Sequence, residues 1–288
     1  MKIEKWINKN TKKLDNKLVA ISGSTGGLGR EVANYLAYLG ASLVLVDRNI
    51  KKSRDLAEEL KRKYPDLKIE FVTADMADME SVRSAADSLC EMKIDYLILN
   101  AGAYSIPRYM CADGFDNVFQ INFVSPYYLL NRLLPSIRER GGRVVAVGSI
   151  AHNYSKIDET DVDFSTRKQA SLVYGNAKRY LTYSLLHISR GDVVVAHPGI
   201  SFTGITNHYP PLIFALIKHP MKIIFPKPAR AALSIVYGLF ADVTEEEWIG
   251  PRIFDIWGMP KVKRLNTARR AEKDKIVEIA ENIYKSLK

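Results

Sequence analysis

The sequence predicts a doubly wound α/β fold, with one parallel sheet of seven strands and helices on both faces. Three observations carry this prediction. Short apolar runs rich in β-branched residues alternate along the chain with longer segments of helical period. The runs are near-continuously apolar instead of alternating with polar residues, as expected of strands covered on both faces. A glycine-rich turn joins the first run to the first helical segment. A length of 288 residues suits one such domain with a substantial core.

In chain order, residues 1–16 read as a basic N-terminal extension and 17–288 as a single domain. Strands are expected at 17–22, 42–47, 68–72, 95–99, 143–148, 192–196 and 252–257. Helical period occupies 28–40, 49–63, 78–92, 115–138, 172–189 and 229–240. A last helix is expected over 267–287, with Ile276, Ile279, Ala280, Ile283 and Leu287 on one face. Two stretches break the rhythm. Residues 150–171 form a polar insert, and 200–228 form a proline-rich, apolar and aromatic loop of the kind that covers a site or meets a partner.

The chain carries 42 Lys and Arg against 32 Asp and Glu, a net charge of +10. That excess suggests nucleic acid or an anionic membrane until it is placed along the chain. Residues 1–17 hold six lysines against Glu4 and Asp15, and 259–288 hold nine basic residues against four acids, so the body is nearly neutral. Without aromatic interleaving or a recognition motif, nucleic acid is not expected as a partner. No stretch has the roughly 18 apolar residues of a spanning helix, and the N-terminus lacks a signal peptide's apolar core. A cytoplasmic protein is therefore expected. Cys90, Cys111, His152 and His197 lack metal-ligand spacing, so no metal is expected.

The first expected strand runs into Ser22-Gly23-Ser24-Thr25-Gly26-Gly27-Leu28-Gly29, and a helix opens at Leu28. Glycines here let the backbone turn sharply and approach a pyrophosphate, whose charge the helix N-terminus favours. Asp47 ends the second strand, where a carboxylate accepts ribose hydroxyls and repels a 2′-phosphate; Arg48, next to it, argues the opposite way. No Lys or Arg lies within the loop before Arg30, so NAD(H) is favoured over NADP(H). Tyr174 and Lys178, four residues apart on one helix, share a face. There an ammonium can lower a phenol's pKa toward working pH. Tyr64/Lys68 and Tyr284/Lys288 share the spacing, but only Tyr174 begins the helix after the fifth strand, which ends in Gly148-Ser149.

With these residues in order, the chain resembles the short-chain dehydrogenase/reductases, and among them the retinol-dehydrogenase-like and protochlorophyllide-reductase-like branch, over about residues 15–288. Ser22, Gly23, Gly27 and Gly29 match the family's glycine motif, with Ser in place of Thr. Leu99-Asn100-Ala101-Gly102 matches its Asn-Asn-Ala-Gly with the first Asn lost, and Ala177 replaces the usual Ser before Lys178. His197-Pro198-Gly199 matches the Pro-Gly loop, and Ser149-Ile150-Ala151-His152 points to the retinol-dehydrogenase branch.

The resemblance implies a Rossmann-type fold and hydride transfer between a nicotinamide cofactor and an alcohol or carbonyl compound. By the same resemblance, Asn122, Ser149, Tyr174 and Lys178 are the catalytic set. Ser149 would bind the carbonyl oxygen, Tyr174 would move the proton, Lys178 would tune the tyrosine and hold the nicotinamide ribose, and Asn122 would hold a relay water. The cofactor would be held by Gly23, Ser24, Thr25, Gly27, Leu28 and Gly29, by Asp47 and Arg48, and by Asp75 and Met76. Asn100, Ala101, Gly102, Tyr174, Lys178, Pro198, Gly199, Ile200 and Thr203 would complete that site.

Residues 200–228 stand where the family has a lid over its substrate. Phe202, Ile205, Tyr209 and Phe214, with Ser149 and Tyr174, then predict a pocket for a lipophilic molecule such as a steroid or retinoid. Three alternatives stay open: peripheral membrane contact through the lysine-rich N-terminus (Ile3, Trp6, Ile7, Leu14) or the lid, a homodimer or homotetramer, and a catalytically silent nicotinamide-nucleotide-binding regulatory or scaffold protein.

Overall fold

A computed structural model describes residues 3–199, 226–265 and 267–287. Helix α1 (Ile3–Asn10) precedes a run of alternating elements: β1 (Leu18–Ser22), α2 (Gly27–Tyr38), β2 (Ser42–Asp47), α3 (Ile50–Lys63), β3 (Ile69–Thr73), α4 (Met79–Met92) and β4 (Tyr96–Leu99). A short helix α5 (Asn117–Phe119), a π turn (Gln120–Val124) and α6 (Ser125–Glu139) lead to β5 (Arg143–Val147). Then come a 3-10 turn (Ile150–Asn153), α7 (Ala170–Ile188), β6 (Val193–Ala196), α8 (Pro228–Gly238), β7 (Glu247–Ile253), β8 (Trp257–Arg264) and α9 (Arg270–Ser286).

The sheet has the order β3-β2-β1-β4-β5-β6-β7-β8, parallel except for the antiparallel β7–β8 pair. One core layer packs α4, α6, α7 and α9 on one face of the sheet, and a second packs α1, α2, α3 and α8 on the other. This two-sided burial is why the central strand runs are apolar at nearly every position.

The sheet has eight strands where seven were expected, and the difference lies at its edge. The expected strand 252–257 straddles the β7–β8 hairpin turn, in which Phe254 and Asp255 take positive φ of 50° and 56°. The apolar run Ile-Phe-Asp-Ile-Trp hides that turn because a phenylalanine rarely takes such a φ. The helix expected over 115–138 is interrupted by the π turn around Asn122. Pro126, four residues after Asn122, has no N–H to give to the Asn122 carbonyl, so the α-helical ladder cannot run through it.

The N-terminal segment is packed on the domain. Trp6, Ile7 and Leu14 are buried, and Trp6 meets Tyr237 of α8 edge-on with ring centroids 5.4 Å apart. These side chains, read from the sequence as candidates for a lipid surface, face the protein. Helix α9 buries Ile276, Ala280, Ile283 and Leu287 against α6 and α7, where Tyr284 packs on Tyr127 and Tyr128. Among the described residues no helix is long and apolar enough to cross a membrane.

Candidate active site

Strand order reverses between β1 and β4, the switch point beyond whose strand C-terminal ends open α/β sheets take their ligands. Gly23 turns there with φ +67°, and a Cβ on it would stand 2.8 Å from the Ala101 Cα. A Cβ on Gly29 would stand 2.2 Å from the Gly23 carbonyl. The Asn100 side-chain amide donates to the carbonyls of Ser22 (3.0 Å) and Gly23 (2.8 Å), and the Ser22 hydroxyl accepts the N–H groups of Asn100 and Ala101 (3.1 Å each). The glycine loop and the Asn100-Ala101-Gly102 loop are thus one hydrogen-bonded unit. Gly27 and Leu28 open α2 with no side-chain cap, which leaves amide donors for an anion.

Asp47 is buried at the tip of β2, and its carboxylate is engaged with the protein. It accepts from the hydroxyls of Ser24, Thr25 (3.2 Å) and Ser53 (3.0 Å) and from the Thr25 N–H (3.3 Å). The acceptors that the sequence assigned to ribose hydroxyls therefore hold the glycine loop, while Arg48 beside them is exposed. Asp75 accepts from the Ala77 N–H at 3.0 Å. The Met76 side chain is buried in the core, and its carbonyl accepts the Ser125 hydroxyl at 2.7 Å.

At the end of β5 the structure brings together Ser149, Tyr174 and Lys178. Ser149 caps the 3-10 turn by accepting the Ala151 N–H at 3.2 Å, and its side chain lies near enough to Tyr174 to draw the phenol's pKa down. Burial pushes that phenol up to about 12, against the pull of Ser149. Lys178 is buried, donates to the Val147 carbonyl at 2.8 Å, and lies 5.7 Å from the centre of the Tyr174 ring. Burial brings the ammonium down to about 7. The sequence expects the lysine to lower the tyrosine; in this structure the desolvation of each group outweighs their mutual influence. The Asn122 amide donates to the carbonyls of Ala103 (2.7 Å) and Val118 (2.8 Å), tying the loop after β4 to the π turn. A Cβ on Gly102 would stand 2.8 Å from Asn122 Oδ1 and 3.8 Å from Lys178 Nζ.

A backbone cradle closed to any Cβ, uncapped helix amides and a buried ammonium beside it fit a nicotinamide dinucleotide. Of the Pro-Gly loop, Pro198 and Gly199 (φ +83°) are described. Ile200, Thr203, Phe202, Ile205, Tyr209 and Phe214 lie outside the described residues.

Three surrounding features were missed from the sequence. Tyr104 meets Tyr174 edge-on at 5.2 Å, and Tyr154 stands half exposed near it. Trp248 packs between His152, edge-on at 5.3 Å, and His197, stacked at 5.4 Å. His152 reaches Thr267, over a hundred residues away in sequence. The His-Pro-Gly run and the His three residues after Ser149 signal the second feature, whereas Tyr104 and Thr267 have no local signature.

The family model for short chain dehydrogenases matches residues 17–161, half of the chain. The chain is 28% identical to polyprenol dehydrogenase of Homo sapiens over 250 residues, covering 80% of this chain and 74% of that one. It is 30% identical to retinol dehydrogenase 12 of Mus musculus over 204 residues, covering 68% of this chain and 65% of the other. Among solved structures, an uncharacterised protein from Mycobacterium paratuberculosis superposes with a TM-score of 0.73 at 24% identity, over 96% of this chain and 94% of that one, which speaks for the fold alone. With the glycine cradle, the Ser149–Tyr174–Lys178 cluster and this match agreeing, the chain belongs to the short-chain dehydrogenase/reductase family, as an oxidoreductase of its retinol-dehydrogenase-like branch.

Proposed function

We propose that the protein interconverts a hydrophobic secondary alcohol and its ketone, or an alcohol and its aldehyde, with Tyr174 as general acid/base. The observation that carries this reading is the juxtaposition of Ser149, which draws the Tyr174 phenol's pKa down, with the Lys178 ammonium 5.7 Å from the centre of the same ring. A carbonyl oxygen placed between the two hydroxyls would accept from both. Polarisation by Ser149 and proton donation by Tyr174 would then act on the oxygen that gains negative charge as the hydride arrives. The nicotinamide supplies or takes up that hydride when bound. Lys178, titrating near 7, would meet the ribose hydroxyls and return a proton to Tyr174. Asn122 would keep the loop after β4 in register with the π turn, next to the lysine.

The cofactor would lie along Gly23–Gly29, Asp47, Asn100–Gly102 and Pro198–Gly199, with Ile200 and Thr203 following. NAD(H) remains favoured by the negative charge of Asp47. Its four hydrogen bonds and the exposed Arg48 both weaken discrimination against NADP(H). A lipophilic substrate is supported by the aromatic surroundings of Tyr174, Tyr104 and Tyr154, and by relatives named for polyprenol and retinol.

The test is a panel of hydrophobic alcohols and carbonyl compounds with NAD(H) and NADP(H). Tyr174→Phe should keep cofactor binding and lose turnover by about 10²–10⁴-fold, the usual share of a positioned acid/base. Near-normal turnover in that variant would refute the assignment.

A further inference from the structure

The turn that carries Ser149 is tied to the far end of the chain. His152 is fully buried, and its Nδ1 lies 2.6 Å from the Ser149 carbonyl oxygen. A carbonyl only accepts, so Nδ1 carries the hydrogen and Nε2 is left as acceptor. Nε2 is 3.0 Å from the Thr267 hydroxyl, which therefore donates to it and in turn accepts from the Tyr183 hydroxyl. Hydrogens run in one direction, from Tyr183 through Thr267 and His152 to the backbone of Ser149. Burial lowers the His152 pKa and the neighbouring Arg179 charge adds to this, against the opposing pull of the Ser149 carbonyl and Asp255; the net lowering favours the neutral imidazole on which this direction of donation depends.

A second tie runs in parallel. Arg179 donates to the His152 carbonyl at 2.7 Å, and its remaining nitrogens grip both Glu272 oxygens at 2.7 and 2.9 Å. Thr267 and Glu272 belong to the stretch that leads into and opens α9. On its other side the turn presses on α7 at Gly175, next to Tyr174, where a Cβ would stand 2.5 Å from the Ala151 carbonyl. The turn is thus held between α7 and the C-terminal segment.

We infer that the His152–Thr267 hydrogen bond, backed by Arg179 and Glu272, is a latch through which the C-terminal segment positions Ser149 against Tyr174. The structural half of this inference stands on the contacts alone, and its effect on turnover rests on the reaction proposed above. His152 and Thr267 are positioning residues that act through Ser149. Losing the latch widens the spread of Ser149 positions beside Tyr174 and so weakens the pull of Ser149 that draws the phenol's pKa down.

Thr267→Val removes the hydroxyl and keeps the shape. Hydrogen exchange of the 150–154 amides should accelerate about tenfold, and kcat should fall about tenfold with the cofactor Kd unchanged. The pH limb of kcat that reports Tyr174 should also move upward. Thr267→Ser should restore all three. Glu272→Gln, which loosens the parallel tie, should move them the same way and serves if the valine variant fails to fold. Wild-type exchange in both Thr267→Val and Glu272→Gln overturns the latch, and so does faster exchange with an unchanged kcat and pH limb. The exchange measurement needs no substrate. A wild-type chain that turns over no alcohol or carbonyl, while Thr267→Val still loosens 150–154, would therefore count against the proposed reaction and for the latch.

Discussion

Lys178 should destabilise the protein it serves. Its ammonium is buried, and its pKa falls from an ordinary 10.5 to about 7. In the unfolded chain the lysine keeps its proton over most of that interval, so folding releases about half a proton at pH 7 and nearly a whole one by pH 8–9. The linkage relation turns this into about 4 kcal/mol at pH 7, falling to about 2 at pH 9 and to nearly nothing at 10.5. The sign follows from the proton count: the unfolded state holds more protons between 7 and 10.5, so wild-type stability rises with pH there. Replacing Lys178 with Met removes the term and also the hydrogen bond to the Val147 carbonyl, a loss of about 1 kcal/mol. Lys178→Met should therefore be about 3 kcal/mol more stable than wild type at pH 7 and about 1 at pH 9, and it should have lost turnover. Urea unfolding of the cofactor-free proteins at both pH values measures this. A variant less stable than wild type at pH 7, or a difference that does not shrink by pH 9, would show that the ammonium is not desolvated as the structure places it.

Two further outcomes test other parts of the site. His197 is buried beside Trp248 and held at about 4, against an ordinary 6.5. The stability this gives is complete above pH 6.5 and is lost as pH falls toward 4, by about 2 kcal/mol at pH 5. His197→Phe keeps the stack on Trp248 and should flatten the unfolding free energy between pH 6.5 and 5, as followed by denaturant titration. Gly29→Ala puts a methyl group on the Gly23 carbonyl. Fluorescence titration with reduced nucleotide should then find affinity weakened at least about tenfold, with the fold intact by circular dichroism.

The parallel part of the sheet was legible because β1, β2, β4, β5 and β6 are buried almost throughout and announce themselves as near-continuous apolar runs; the edge strand β3, half-buried, keeps only Ile69, Phe71 and Val72 of that signal. The β7–β8 edge was not legible. Trp248 and Ile249 of β7 lie between a run of glutamates and a Gly-Pro pair that read as loop, while the hairpin turn has the apolar composition of a strand. In the site, the glycine cradle and the Ser149–Tyr174–Lys178 cluster were readable because their spacing is set by the helix and strand that carry them. What Asp47 does was not, since a carboxylate at a strand tip has the same sequence whether it faces a ribose or the hydroxyls of Ser24, Thr25 and Ser53. The contacts of Ser149 through His152 to Thr267 join segments over a hundred residues apart, and no period or motif encodes them.

The raised phenol and lowered ammonium together bear on the direction of catalysis. A general acid must carry its proton at working pH, and a Tyr174 held at about 12 does so throughout the neutral range. Carbonyl reduction should thus depend little on Tyr174 titration between pH 6 and 9. In the proposed reaction alcohol oxidation uses Tyr174 as the base, and the phenolate fraction rises about tenfold per unit while pH stays below the pKa. Oxidation should therefore climb with pH across the interval where reduction is flat on this account. The check is initial rates in both directions on one alcohol–carbonyl pair at saturating cofactor, with Tyr174→Phe as the blank. An oxidation rate that levels off below pH 8 would mean that Lys178, once among its cofactor partners, keeps its charge and draws the tyrosine down after all. The burial that governs the cofactor-free protein would then no longer set the proton affinity of the working site.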